Sequence, residues 1–184
     1  MRTTYLAPVA DLPTIFLLGY MGSGKSYVGR RLATRLGLPF VDLDTYLETQ
    51  YGGTIAELIA AEGMEEFRKR EAAALRAQPT TNTVVACGGG APVYHDNLKW
   101  MNERGITCYL ETALPVLVER LLPERAKRPL LAGLDAHALP GFITEHLRER
   151  RPYYLGAHLR YSQRTGHEPV AADIQAYLLR ITGH

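Results

Sequence analysis

The chain has 184 residues, 46% of them hydrophobic and 22% charged, which suits one ordinary globular domain with a buried core. Its formal net charge of +2 gives no basis for a nucleic-acid or membrane partner as a whole-surface property. No window approaches the ~18 continuous apolar residues of a membrane span. Residues 1–13 lack a basic-then-apolar leader pattern, so the cytoplasm is the expected location and residues 1–13 a short lead-in.

Apolar strand candidates then recur with helical stretches between them. Residues 14–18 form a continuous apolar run ending at Gly19, and 25–36 carry Val28, Leu32 and Leu36 as a helical stripe. A short second strand is expected at 39–43. Residues 54–61 and 64–77 read as a helix pair broken at Gly63. Residues 83–87 are a third strand that runs into three glycines. A helix at 97–104 stops at Gly105, and 106–110 are a fourth strand, followed by a helix at 114–122. Residues 123–140 mix charge, prolines and Gly133 without a clean period, as a lid does. Helices at 137–154 and 168–181 enclose a weaker fifth strand at 159–162. Short apolar strands spaced by helices predict an α/β fold, a parallel sheet covered on both faces. Cys87 and Cys108 lie in the apolar runs without metal-ligand spacing and read as reduced core thiols.

The strongest chemical signal is Gly19-Tyr20-Met21-Gly22-Ser23-Gly24-Lys25-Ser26, a full G-x-x-x-x-G-K-[ST] pattern between a strand and a helix. Glycines let the backbone wrap so that amides point at phosphate oxygens, and the helix N-terminus favours anions. Lys25 is placed to reach the β- and γ-phosphates and the Ser26 hydroxyl to ligate Mg²⁺, with Tyr27 beside them. The bland alternative is a glycine-rich turn with a surface lysine. The motif marks a nucleotide phosphate site and does not by itself separate a kinase from a switch GTPase.

Asp42 and Asp44 close the second strand at i, i+2, where a sheet of this kind binds ligands. One carboxylate can serve the metal and the other draw the proton from an attacking hydroxyl, or the two can simply cap the next helix at Thr45. Arg68 and Glu71 stand at i, i+3 in a segment that otherwise reads as a solvated charged face. Gly88, Gly89 and Gly90 expose backbone for a close ligand, or form a plain turn. Arg120, Arg125, Lys127 and Arg128 flank and enter the lid, where mobile cations can close over a transferring phosphoryl group. Arg148, Arg150 and Arg151 form a second cluster suited to a carboxylate. Either cluster taken alone could be solubilising charge.

Taken together, FLLGYMGSGKS, VDLD, GMEEFRKRE, CGGGAP, KRPLLAG and RRPYYLGA resemble, in order and spacing, the motifs of the shikimate kinase family over nearly the whole chain. The resemblance implies a three-layer P-loop kinase fold, with a five-stranded parallel sheet ordered 2-3-1-4-5, helices on both faces and a lid at about 123–140. It implies ATP as co-substrate, Mg²⁺ as cofactor and phosphorylation of the 3-hydroxyl of shikimate. On it, Gly22, Ser23, Gly24, Lys25 and Ser26 bind ATP phosphates, and Ser26 and Asp42 serve Mg²⁺. Asp44 binds the shikimate hydroxyls and acts as base. Arg68 and Arg150 pair with the carboxylate, Glu71 orients Arg68, and Gly88 to Gly90 contact the ring. Arg128 closes with the lid, and Arg120 stacks near adenine. Met64 stands where the family carries Glu, and 163–166 are only loosely like the family's adenine-side segment. A kinase for another small hydroxy acid such as gluconate, or a nucleotide-binding regulatory module without turnover, are the competing readings. No exposed apolar seam is evident, so a monomer is expected.

Overall fold

A computed structural model describes residues 12–128, 130–165 and 168–183. Most of the lead-in lies outside them, as do Pro129 of the lid and Gly166 of the adenine-side segment. The sheet has five parallel strands in the order β2-β3-β1-β4-β5: β1 (Thr14–Leu18), β2 (Phe40–Asp42), β3 (Val84–Ala86), β4 (Gly105–Thr112) and β5 (Leu159–Gln163). β1 sits at the centre and is fully buried, as its unbroken apolar run requires.

Two core layers cover the faces. On one, α1 (Lys25–Leu36) and α7 (Val170–Thr182) bury Val28, Leu32, Leu36, Ile174 and Leu178. The other is larger. It is built by α2 (Leu43–Tyr51), α3 (Ile55–Arg76), α4 (Asn97–Arg104), α5 (Leu114–Leu121) and α6 (Ala138–Tyr154), which bury Leu47, Phe67, Met101, Leu117 and Tyr154.

Local chemistry explains the breaks. A reciprocal capping box between Thr54 and Glu57 starts α3. Gly63, at φ 86° and ψ 166°, is non-helical and divides it, so the expected pair of helices does break at Gly63. Gly105 begins β4 in extended conformation instead of capping α4 with a left-handed turn. From the sequence α2 stood only as the alternative in which the two acids cap a helix at Thr45. It starts immediately after β2, and this moves Asp44 off the strand and into the helix's first turn. Within 123–140, a 3-10 turn at Arg125–Lys127 and further turns precede α6, and Leu131 is fully buried.

Candidate active site

The β1–α1 loop is built to receive an anion. Gly24, at φ 88°, turns the chain into α1, which has no side-chain cap and no acidic residue in its first turn. The first amides of that helix are therefore left for a ligand. The Ser23 hydroxyl is buried with no hydrogen-bond partner. Lys25 Nζ donates to the carbonyls of Gly19 and Tyr20, at 2.9 Å each. Burial lowers the Lys25 pKa to about 8, opposed chiefly by the carboxylate of Asp44. Gln163 Nε2 braces the loop from β5 by donating to Ser23 O at 2.9 Å.

Beside this loop runs a groove of about 970 Å³, lined by Gly24, Tyr27, Arg31, Arg120, Gln163 and Pro169 among others. Arg120 Nη1 donates to Gly22 O at 3.1 Å, so this arginine spans the loop and the groove. Ser26 is exposed at the loop's edge. A separate hollow of about 260 Å³ between α2 and α3 is lined by Tyr46, Leu47 and Leu58 and by none of the expected site residues.

Opposite the loop, the three glycines after β3 act as a hub. A methyl group on Gly88 would stand 2.6 Å from Glu71 Oε1 and 2.8 Å from Asp44 Oδ1. On Gly90 it would meet the Arg68 guanidinium at 2.5 Å, and on Gly89 it would lie 3.4 Å from the Met21 amide and 3.6 Å from Arg150 Nη1. None of the three has a positive φ. Glycine is required there by close approach, not by backbone conformation. One turn of chain therefore lies against the phosphate loop, Asp44, Glu71, Arg68 and Arg150.

The electrostatics of this cluster are strained. Glu71, 1% exposed, accepts a 2.6 Å hydrogen bond from Arg68 Nη1, yet burial still raises its pKa against the pull of that arginine. Burial likewise raises Asp44, with Lys25 opposing. Arg68 and Arg150 are each 9% exposed, and Arg68 Nε is buried without a partner. A buried guanidinium with an open donor, as Arg68 has, calls for an anionic ligand. Asp42 Oδ1 caps α2, accepting from the amides of Asp44 at 3.2 Å and Thr45 at 3.4 Å, so the capping alternative holds for this carboxylate. Arg128 closes the 3-10 turn. Its Nε is buried with no partner, and its charge lowers the proton affinity of Lys25. Arg148 forms an exposed pair with Glu145, and Arg151 joins Glu111; neither turns toward the cluster's partners.

Sequence reasoning passed over two tyrosines. Tyr154 is fully buried, stacks on Tyr109 at 5.0 Å and donates a 2.5 Å hydrogen bond to Gly89 O. Burial pushes its hydroxyl well above the usual phenol range, so it remains a donor. Tyr20, inside the phosphate loop, shares a 2.9 Å hydrogen bond with His146 Nδ1 on α6. The only prior signal for Tyr154 was its place in RRPYY, four residues after Arg150 on a helix.

Comparison with known proteins agrees with this geometry. A family model described as shikimate kinase matches residues 21–181. The shikimate kinase of Parabacteroides distasonis is 37% identical over 169 residues, covering 91% of this chain and 98% of the relative. A shikimate kinase structure from Bacteroides thetaiotaomicron superposes with a TM-score of 0.84 at 33% identity, covering 95% of this chain and all of that one. One from Acinetobacter baumannii, in complex with shikimate, does so with a TM-score of 0.79 at 32% identity, covering 93% of each chain. The chain belongs to the shikimate kinase family.

Proposed function

We propose that this chain transfers the γ-phosphoryl group of ATP to the 3-hydroxyl of shikimate. One observation carries the reading. A methyl group on Gly89 would lie 3.4 Å from the Met21 amide of the phosphate loop and 3.6 Å from Arg150 Nη1, which supports reading an anion-binding loop and a carboxylate receptor as neighbours.

The amides of Gly22 to Ser26 cradle the ATP phosphates. Lys25 leaves its two carbonyl partners to follow the charge that develops on the bridging oxygen. Arg68 and Arg150 grip the shikimate carboxylate, and Glu71 fixes the plane of Arg68. That grip leaves the ring's hydroxyl edge facing Asp44, which accepts the proton. Its raised pKa suits a general base, because a carboxylate disfavoured by burial holds a proton more readily. Arg128 comes down with segment 123–140, the lid, and shields the transfer from water. Tyr27 and Arg120 line the nucleotide's groove.

Ser26 and Asp42 suit Mg²⁺ in their chemistry. Among the described residues no group of three His, Cys, Asp or Glu could hold a metal, and Mg²⁺ characteristically keeps several waters and phosphate oxygens beside one or two protein ligands. When bound, the ion would neutralise negative charge on the ATP phosphates. Asp42 retains Oδ2 for it while Oδ1 caps α2.

We further infer a single-domain, monomeric and cytoplasmic enzyme. Cys87 and Cys108 are buried free thiols, as a reducing compartment allows, and no described helix is long and apolar enough to cross a membrane.

The test is ADP release against a panel of shikimate, gluconate and other hydroxy acids. Turnover should require shikimate and yield a singly phosphorylated product; turnover of another acid with shikimate inert would overturn the assignment. Lys25→Ala should lower kcat by about 10²–10³-fold. Arg150→Ala should raise the shikimate KM by roughly 10–100-fold and leave the ATP KM nearly unchanged. Weakened ATP binding alone in Arg150→Ala would remove that residue from the acceptor site.

A further inference from the structure

Arg68 has a neighbour that no motif explains. Its guanidinium carbon lies 4.6 Å from the ring centroid of Tyr94 and 4.8 Å from that of Phe67. Phe67 is core, at 4% exposure, whereas Tyr94 is 39% exposed and stands at the solvent rim of the arginine.

The chain takes trouble to hold Tyr94 there. It ends the short 3-10 turn Ala91–Val93 that leads out of the three glycines. The next two residues, His95 and Asp96, both adopt left-handed backbone, at φ 52° and 54°. Neither is glycine, and consecutive residues in that region are costly unless their surroundings enforce them. Here the enforcement is visible. Asn97 N donates to Tyr94 O at 3.0 Å, and Asn97 Nδ2 donates to Ala91 O at 2.9 Å. Arg76 donates to Asn97 Oδ1 at 2.7 Å and to His95 O at 2.8 Å. Arg76 belongs to α3, the helix that carries Arg68. The turn is thus registered to α3 at one point by hydrogen bonds and at another by the Tyr94 ring.

We propose that Tyr94 is a positioning residue for carboxylate capture, its ring face holding the Arg68 guanidinium in the plane that meets the acceptor's carboxylate. Arg68 needs such help. Glu71 ties down Nη1 alone, Nε is buried with no partner, and Phe67 backs the group from the core side, so the restraint against a pivot at the solvent rim falls to Tyr94. An aromatic face restricts that pivot and leaves the in-plane donors free, because stacking uses the flat side of the guanidinium and hydrogen bonds use its edge. The proposal rests on the reading that Arg68 binds the carboxylate.

Steady-state kinetics on Tyr94→Phe, Tyr94→Leu and Arg68→Ala test both points separately. Leu fills much of the space but has no π face. Tyr94→Leu should raise the shikimate KM by about two- to fivefold, the worth of an exposed cation–π contact, with kcat and the ATP KM unchanged. Tyr94→Phe should match the parent. A Tyr94→Leu enzyme with the parent's shikimate KM, or a Phe variant as impaired as the Leu one, would overturn the stacking role. If Arg68→Ala leaves the shikimate KM unaltered, the carboxylate reading of Arg68 is what fails. In the double variant Arg68→Ala/Tyr94→Leu, the Tyr94 change should add nothing to the shikimate KM; an additive increase would show that Tyr94 acts by another route.

Discussion

Asp44 carries two opposed demands. On the proposed mechanism its carboxylate must be available to a hydroxyl, yet it sits beside Gly88 with burial raising its pKa despite Lys25. A raised folded-state pKa means the folded enzyme binds this proton more tightly than the unfolded chain does. The resulting stability is present at low pH and is lost as pH rises through the folded value. Above the unfolded value this carboxyl is therefore a burden on the ligand-free fold, and Glu71, raised for the same reason, adds to it. Asp44→Asn removes the burden: the ligand-free Tm at pH 7 should rise, on the order of 2 °C, and the rise should shrink toward acid pH. The same variant should lose about 10²–10⁴-fold in kcat, the usual worth of a positioned base. A lowered Tm would show that Asp44 is held by its partners rather than strained against them. Gly90→Ala makes a sharper steric test. Its methyl would meet Arg68 Nη2 at 2.5 Å, so shikimate affinity should fall while ATP affinity holds, as calorimetry with each ligand can check.

Elements differ in how far their roles could be read from sequence. The phosphate loop was legible because its chemistry needs particular residue types at fixed spacing. The break at Gly63 was legible too, since few other residues adopt its backbone. α2 was legible only as a capping alternative: Asp42 caps it from the strand's last position, and only Leu43 and Leu47 are buried along it, too sparse a stripe to announce a helix by itself. Glycine at 88 to 90 suggested a ligand; the crowd of Asp44, Glu71, Arg68 and Arg150 that an added methyl would meet is a three-dimensional fact no local pattern announces. Tyr154 and Gly89 are 65 residues apart, and nothing local links them. Tyr154→Phe keeps the stack on Tyr109 and deletes the bond to Gly89 O. It should cost about 1 kcal/mol in urea denaturation and raise the shikimate KM more than the ATP KM. Gly63→Ala should cost about 1–3 kcal/mol through backbone strain alone, because the added methyl would meet nothing within 4 Å.

Across the whole molecule, the two proposed ligand sites draw on both halves of the sheet. Lys25 follows β1, Asp44 follows β2, the glycines follow β3, and Gln163 at the end of β5 supports Ser23. The carboxyl edge of a parallel sheet gathers them because every strand points the same way. Segment 123–140 leaves that edge between α5 and α6, with Leu131 as its buried anchor. As a lid it should show slowed amide exchange when ADP and shikimate are both present, and less protection with ADP alone. Equal protection by either ligand would argue against closure over a ternary complex.

The strand order carries a further consequence, for how the enzyme is made. β1 and β2 emerge first from the ribosome, but β3 separates them in the finished sheet. Ile15 must wait for Val84 on one side and Ile106 on the other. Until β4 has been synthesised, the nascent chain displays an orphan apolar strand next to an unsupported nucleotide loop. ATP cannot chaperone its own binding site early in translation, and closing such long spans makes final assembly slow. A chain arrested before β4 should be sticky, protease-sensitive and unable to retain nucleotide, however complete its signature motif.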